Sequence, residues 1–520
     1  MPATLRIPKQ FNAARFYVDR HLTEGQGDKI AICHGDRTLT YRQVADQVNR
    51  AANALRGAGI HRNDRVLLVL FDSPAFVAAF WGAIKVGAIP VPVNTLLARD
   101  EYEFVLKDSG ARGLVVESAL FEKVAPALRA SRHVKSLWVS GGTRKGHWSF
   151  EEALVQNSPE ASAAPTGRED PAFWLYTSGS TGRPKASIHL QHDMVYCLEH
   201  FARPILKVRA EDVTFSTSKL FFAYGLGNAL HFPFGVGAAT VLLSEKPTAE
   251  KIFETLRRYR PTIFYAVPSI YAAMLQADGA SAEDFSSVRC AVSAGEALPA
   301  PLWTRLRDKF GVSIVDGIGS TEMLHMFISN RPDDIMPGSS GKPVPGYEVK
   351  IVNERGRKVP AGQMGELWVR GESAAAGYWR RPELSRSTFR GKWTVTGDKY
   401  IRDQRGYYWH CGRSDDMLKV SGMWVSPLEI ESALLAHPAV LECAVVGATD
   451  TDGLTKPKAF VMLKNAALVP APSEADIARF LRGRLPGFKV PNWIVLTETL
   501  PRTATGKVQR FKLRETERRH

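Results

Sequence analysis

The chain is poor in cysteine, with five among 520 residues: Cys33, Cys197, Cys290, Cys411 and Cys443. They are scattered, odd in number and form no CxxC pair. This excludes a disulfide framework and a cysteine-based zinc site, and points to ordinary buried thiols in a reducing cytoplasm. A membrane-spanning run is lacking too. The most apolar stretch, Ala75 to Ile89, is interrupted by Lys85 and by glycines, so it reads as buried helix, turn and strand. The opening MPATLRIPKQFNAARF has no long apolar core of the kind a secretory signal needs. Nor is there a basic arm or stripe, although the net charge is +15. From Arg413 to the end, 16 Lys and Arg face 12 Asp and Glu, an excess of only four. Without clustering, the charge is weak support for nucleic-acid binding and suits attraction of small polyanions.

What is present is an ordinary globular composition, 44% hydrophobic and 23% charged, in a chain long enough for more than one domain. Leu39 to Leu55 carries apolar residues at helical spacing behind a Thr40 cap. Arg65 to Phe71 reads as a buried strand, Phe76 to Val86 as a helix, and Ile89 to Val93 as a strand. Strand–helix–strand order recurs near Leu114, Thr240 and Ile263, which predicts parallel α/β layers. Residues 141–170 are polar and loop-like. After Gly341 short β runs take over: Tyr347–Val352, Gly365–Arg370 and Gly391–Tyr400. Beyond Gly412 a helix, a strand and a Gly-stopped helix suggest a small α+β domain. The expected fold is therefore α/β. A large N-terminal domain, 1–412, holds layered α/β subdomains and a small β-barrel-like one. A linker, 413–417, leads to a C-terminal α+β domain, 418–520.

The segment FWLYTSGSTGRPKASIH, from Phe173 to His189, suits phosphate. Glycines let backbone N–H groups approach, hydroxyls donate, and Lys185 adds positive charge. It is not a Walker A loop: Lys185 does not directly follow Gly182, and Ala186 stands where a metal-binding hydroxyl would be. A flexible Gly/Ser linker is the plainer reading, but it does not explain the strand-like residues before the loop or Pro184 beside Lys185.

Tyr176-Thr-Ser-Gly-Ser-Thr-Gly-Arg-Pro-Lys185 resembles the signature of the adenylate-forming superfamily, which includes acyl-CoA synthetases, adenylation domains and luciferases. Ala186 departs from it, since Gly is usual there. Five further motifs follow in register: Ser293-Ala-Gly-Glu296, Asp316-Gly-Ile-Gly-Ser-Thr-Glu322, Thr396-Gly-Asp398, Gly412 to Gly422, and Pro501-Arg-Thr-Ala-Thr-Gly-Lys507. With "KLFFAYGLGNALHFPFGVGA", Lys219 to Ala238, the resemblance narrows to benzoate–CoA and 4-hydroxybenzoate–CoA ligases.

The resemblance implies a reaction and a role for each motif. ATP activates an aromatic carboxylate as an acyl-adenylate; coenzyme A then takes the acyl group, and pyrophosphate and AMP leave. Thr177, Ser178, Gly179, Ser180, Thr181, Gly182 and Lys185 are implied to hold phosphates, and Glu322 to hold Mg²⁺. Ala294, Gly295, Glu296, Asp316, Gly317, Ile318, Gly319, Ser320 and Thr321 would surround the nucleotide. Asp398 and Arg413 would grip its ribose. Ile318 departs from the aromatic found in many members, so adenine must be held by packing. Lys507 would supply charge between carboxylate and α-phosphate, where two anions must meet. Ala223, Tyr224, Gly225, Ala294, Ile318, Gly319, Leu324, His325 and Lys507 would bound a flat aryl slot. Asp415 would be the hinge of a mobile C-terminal domain. Ser421, Gly422, Trp424, Phe488 and Lys489 would serve CoA, although Phe488 reads equally well as a packing residue. His325 could instead be an ordinary core histidine.

Other readings stay open at this stage: another acid such as 4-hydroxybenzoate, 2-aminobenzoate or a cyclic carboxylate, loading of a carrier protein, a nucleic-acid-linked ATPase, or a luciferase-like oxidation. The expected partners are the acid, ATP and CoA, with no nucleic acid or membrane. A monomer or homodimer is expected, as is a lysine acetyltransferase acting on Lys507 by removing its charge. Lys507→Ala should lower adenylate formation by about two orders of magnitude yet largely spare thioester formation from supplied benzoyl-AMP. Gly422→Leu should do the reverse. Stopped-flow assays of each half-reaction check this division, and equal loss of both in either variant overturns it.

Overall fold

The structure, a computed structural model, describes residues 6–177, 184–414, 416–420, 423–450, 454–464, 472–502 and 508–517. The large N-terminal part is built on two α/β sheets. In one, the parallel strands Ile89–Pro92, Arg65–Val69, Gly113–Glu117, Ser136–Ser140 and Trp148–Ser149 lie side by side in that order. The other has nine strands. Its parallel centre runs through Ile314–Gly319, Cys290–Ser293, Ile263–Ala266, Val213–Ser216, Ala239–Val241 and Ile30–His34. Antiparallel strands close both ends. These sheets confirm the strand–helix alternation seen near Leu114, Thr240 and Ile263.

The β-rich region is a five-stranded antiparallel sheet of Glu348–Val352, Gly365–Arg370, Trp393–Arg402, Phe389–Arg390 and Tyr408–Arg413. The small C-terminal domain folds helices Pro427–Leu435 and Glu474–Arg482 onto strands Val440–Thr449, Thr455–Leu463 and Trp493–Leu496. It has its own core, which includes Ile430, Leu434, Val445, Val461, Ile477 and Leu481.

Local chemistry explains the helix starts. Thr40 caps helix Tyr41–Gly57 in a reciprocal box: its hydroxyl accepts from the Gln43 amide and Gln43 Oε1 accepts from the Thr40 amide. Ser73 caps helix Pro74–Lys85, and Pro74 occupies the first turn, where a missing N–H does no harm. These helices pack closely because Gly82 has no side chain; a Cβ there would lie 2.8 Å from Ala51 Cβ. Lys85, which interrupts the apolar run, is only 2% exposed and pairs with Asp19 at 2.7 Å. A buried cation needs such a partner.

The stretch 141–170 is not all loop. It contains strand Trp148–Ser149 and helix Phe150–Gln156, capped by Ser149. Phe150 is buried, and Arg50 of the neighbouring helix donates to the carbonyls of Leu154, Val155 and Asn157. Tertiary contact overrode the polar composition. All five cysteines are free; Cys33 is half-buried and the rest are buried. Among the described residues no helix is long and apolar enough to cross a membrane.

Overpacking at the close helix contact of Gly82 should cost about 1–3 kcal/mol. Gly82→Leu is expected to lower the melting temperature. Gly57→Ala, whose Cβ would meet nothing within 4 Å, should leave it level or raise it. Differential scanning fluorimetry of both variants checks the contrast.

Candidate active site

Strands Pro171–Thr177 and Lys185–Leu190 form an antiparallel hairpin with Thr177 opposite Lys185. A third extended stretch runs along it. Ile188 N donates to the Gly377 carbonyl at 3.0 Å, Ala376 N to the Ile188 carbonyl at 2.9 Å, and Trp379 N to the Ala186 carbonyl at 2.9 Å. At its start, Ala375 N donates to the Glu322 carbonyl at 2.8 Å. Residues 375–379 therefore stitch the Glu322 turn to the hairpin.

The stitch puts Tyr378 between two expected site residues. Lys185 Nζ donates to the Tyr378 oxygen at 2.7 Å, and the Tyr378 hydroxyl donates to Glu322 Oε1 at 2.6 Å. Lys185 Nζ lies 3.3 Å from Glu322 Oε1. Burial pushes the Glu322 carboxyl up, but Lys185 and Tyr378 outweigh it and hold the group below the usual carboxylate range. Burial, followed by the Glu322 charge, pushes the Tyr378 phenol up, so it stays a donor. Sequence reasoning found Lys185 and Glu322 but missed Tyr378. Its only signal was a Gly-Tyr-Trp run after three alanines, 193 residues from Lys185.

His189, at the end of the segment quoted from the sequence, is fully buried. Its Nε2 donates to the Thr321 carbonyl at 2.8 Å, and its Nδ1 lies 2.8 Å from Asp193 Oδ2. It ties the hairpin strand to the segment before Glu322.

Asp398 and Arg413 lie opposite each other on paired strands, 3.4 Å apart. His410 Nε2, absent from the expected set, is 3.5 Å from Asp398. Burial raises the Asp398 carboxyl, yet His410 and Arg413 together hold it below the ordinary range. Ala294, Gly295 and Glu296 follow strand Cys290–Ser293; Gly295 turns with φ +94°. Ser293 pairs in register with Asp316 on the neighbouring strand. Asp316 is buried, and its carboxyl is pushed up to about 8, mainly by burial, against hydrogen bonds from Ser293, Leu298 and Gly317. On the same strand, Gly317 and Gly319 leave room for the antiparallel neighbour; a Cβ at 319 would lie 2.6 Å from the His325 carbonyl. Ile318 packs against the large core, and Ser320 caps the Thr321–Met323 turn.

Of the residues expected to bound the aryl slot, His325 and Tyr224 are brought side by side. Leu324 sits at φ +65°, ψ −40°, with His325 N donating to the Met323 carbonyl at 2.8 Å. This is the rare, strained form of γ-turn, and it reverses the chain between Glu322 and His325. Leu324 itself is fully buried in the large core. His325 is 3% exposed and packs among Phe232, Phe201 and Tyr224, with ring centroids 4.5, 5.2 and 5.6 Å away. Its Nε2 lies 3.1 Å from Asn228 Oδ1. Burial pulls its imidazole down to about 3, opposed by the Tyr224 carbonyl, so it is neutral at physiological pH. The Tyr224 hydroxyl donates to the Val292 carbonyl at 3.3 Å. Ala223 is half-buried at the start of the same helical turn. The place a Cβ would take at Gly225 is occupied by the carbonyls of Ser218 and Lys219, so that glycine also answers a backbone approach.

Two expected CoA residues are engaged within the small domain. Lys489 pairs with Glu429 at 2.6 Å, and Phe488 packs against the C-terminal core. Ser178, Gly179, Ser180, Thr181, Gly182, Asp415, Ser421, Gly422 and Lys507 lie outside the described residues, as does the side chain of Trp424. Among the described residues, no three or more His, Cys, Asp or Glu gather as a metal cluster.

A large α/β part with a small second domain is the fold of the adenylate-forming enzymes. The chain belongs to the AMP-binding enzyme family: residues 19–379 match that family, and residues 429–507 match the AMP-binding enzyme C-terminal domain. It is 48% identical to a benzoate–CoA ligase of Thauera aromatica, over 99% of this chain and 97% of that protein. It is 42% identical to a 4-hydroxybenzoate–CoA/benzoate–CoA ligase of Rhodopseudomonas palustris, over 98% and 94%. The crystal structure of the anthranilate CoA ligase AuaEII in complex with anthranoyl-AMP superposes with a TM-score of 0.94 at 44% identity, covering 98% of each chain.

The raised Asp316 carboxyl keeps its proton in the folded state. The stability it supports is whole below the ordinary carboxylate value, near 4, and is lost as pH climbs toward its folded value of about 8. Asp316→Asn removes this dependence. Its melting temperature relative to the parent protein should rise by several degrees between about pH 5 and pH 9, and a pH-independent difference overturns the assignment.

Proposed function

We propose that the protein is an ATP- and CoA-dependent aryl-acid ligase, with benzoate as the preferred acid. It couples the acid to AMP with loss of pyrophosphate, then passes the aroyl group to the CoA thiol with loss of AMP. The observation that carries this reading is a neutral His325, packed against Phe232, Phe201 and Tyr224 one short turn from Glu322. The near full-length likeness to benzoate ligases supports it.

Each step follows from groups in the chain. Lys185 and the hairpin loop, with Thr177 at its edge, grip the β- and γ-phosphates. Asp398 and Arg413 hold the ribose, and Ala294 to Glu296 with Asp316 to Thr321 line the nucleotide. Keeping Asp316 protonated avoids a second anion beside ATP. Mg²⁺ commonly takes one or two carboxylates plus phosphate oxygens, so one ionised Glu322 beside a phosphate loop fits it. Bound there, Mg²⁺ supplies charge neutralisation. Until nucleotide arrives, Lys185 and Glu322 neutralise each other through Tyr378.

Lys507 serves adenylation. The domain 418–520 then turns about the linker 413–417 at Asp415, bringing Ser421, Gly422 and Trp424 to the CoA thiol's path. Phe488 and Lys489 meet CoA only after Lys489 leaves Glu429. The enzyme works in the cytoplasm as a monomer or homodimer, and acetylation of Lys507 would silence it.

A neutral His325 cannot pair with an anionic ring substituent. The test is CoA-dependent AMP release from benzoate, 4-hydroxybenzoate, 2-aminobenzoate, phthalate, cyclohexanecarboxylate and hexanoate. Benzoate should exceed hexanoate in kcat/KM by at least about tenfold, and phthalate should be inert. Activity on aliphatic acids alone overturns the aryl assignment.

A further inference from the structure

Asp108 lies near the end of helix Arg99–Ser109, and its side chain is 9% exposed. One carboxylate oxygen accepts from the Tyr176 hydroxyl at 2.8 Å, and the other from Arg381 at 3.1 Å. Its backbone carbonyl accepts from the Trp379 indole N–H at 2.9 Å. Tyr176 is on the first hairpin strand, beside Thr177; Trp379 and Arg381 follow Tyr378 on the third. One residue of a separate helix thus holds both outer strands of the three-stranded unit.

Arg65 reinforces the grip. Its guanidinium sits 5.6 Å from the ring centres of both Trp174 and Trp379, which lie 4.6 Å apart. It also donates to the carbonyls of Ser109 and Gly110, at 2.9 and 3.1 Å, at the end of the Asp108 helix. Burial, and then the Asp108 charge, push the Tyr176 phenol up, so it remains a donor to the carboxylate.

The consequence concerns spacing. Lys185 extends from the middle strand and Tyr378 from the third, and their bond to each other and to Glu322 depends on how closely those strands are held. Backbone hydrogen bonds set the register. The side-chain clamp at Asp108 restrains the strand ends next to the phosphate loop.

We propose that Asp108 is a positioning residue for ATP's triphosphate end. It acts through Tyr176 and Arg381 on the Lys185–Tyr378–Glu322 chain and touches no substrate. The proposal rests on the reading of this hairpin as the phosphate site.

The test uses the full chain and isothermal titration calorimetry with three probes: a non-hydrolysable ATP analogue, inorganic pyrophosphate and AMP. Asp108→Ala should weaken the analogue and pyrophosphate by about tenfold, the effect of one lost charge-assisted hydrogen bond. AMP should stay within about twofold, because ribose and adenine are held elsewhere. KM for ATP should rise while thioester formation from supplied benzoyl-AMP is unchanged. Asp108→Asn keeps an acceptor for Tyr176 but loses the charge facing Arg381, and should fall between. If Asp108→Ala does not fold, Tyr176→Phe and Arg381→Met each remove one arm and should give the same split. Equal weakening of all three probes, or unchanged pyrophosphate affinity, overturns the proposal. Lys185→Ala is the control: if it leaves pyrophosphate binding intact, the phosphate-site reading itself falls, and the Asp108 proposal falls with it.

Discussion

Everything at the candidate site depends on one charge-assisted chain, Lys185 to Tyr378 to Glu322. A cation and a carboxylate side by side would be an unremarkable ion pair on a surface. Here both are mostly buried, and a phenol held between them by three backbone hydrogen bonds fixes their distance. The chain keeps Glu322 ionised in an environment that would otherwise protonate it. It also keeps Lys185 satisfied; in the proposed function a polyphosphate takes this cation over, since phosphate oxygens offer it a denser set of acceptors. The strands around it exist to hold this spacing: the hairpin carries Lys185, the 375–379 stretch carries Tyr378, and a backbone bond from Ala375 locks the Glu322 turn.

A second pattern is the division of protonation states across a small region. Glu322 and Asp398 are held as anions by neighbouring cations. Asp316, without such a cation in its surroundings, is pushed toward the neutral acid, and His325 is kept as the neutral base. Under the proposed function, charge is retained at the phosphate and ribose ends and removed where adenine and an aryl ring would pack. Environments that pull similar groups apart in pKa are how one fold assigns different tasks to them. In the proposed ligase, this separates the part of the pocket that binds a polyanion from the part that binds a flat, uncharged ring.

Family membership places this chain among AMP-binding enzymes, with residues 19–379 and 429–507 matching two different family regions. The small C-terminal domain has its own hydrophobic core. In the described arrangement Lys489 and Phe488 are occupied by that domain's own groups. Under the proposed function, this is a state in which the contacts with CoA have not yet been made.

Much of this was legible in the residues. Thr40, Ser73 and Pro74 announce their helices through local hydrogen bonding and backbone restriction, which need no distant partner. The Gly/Ser/Thr loop of the hairpin suits phosphate by its composition, whereas Glu322 and the Asp398–Arg413 pair are marked only by the resemblance of their motifs to a known family. Other features could not be read there. The helix at Phe150–Gln156 forms because Phe150 is buried and Arg50 satisfies its carbonyls, against a polar composition. Tyr378 and Asp108 acquire roles only when strands far apart in the chain become neighbours. Gly225 looks like an empty place in a slot but is also required by two carbonyls packed against it. The protonation of Asp316 and His325 is invisible to spacing altogether, because desolvation is a property of the folded interior. Motif chemistry is carried by covalent neighbours and survives in one dimension; burial, register and long-range partners come into being only when the chain closes on itself.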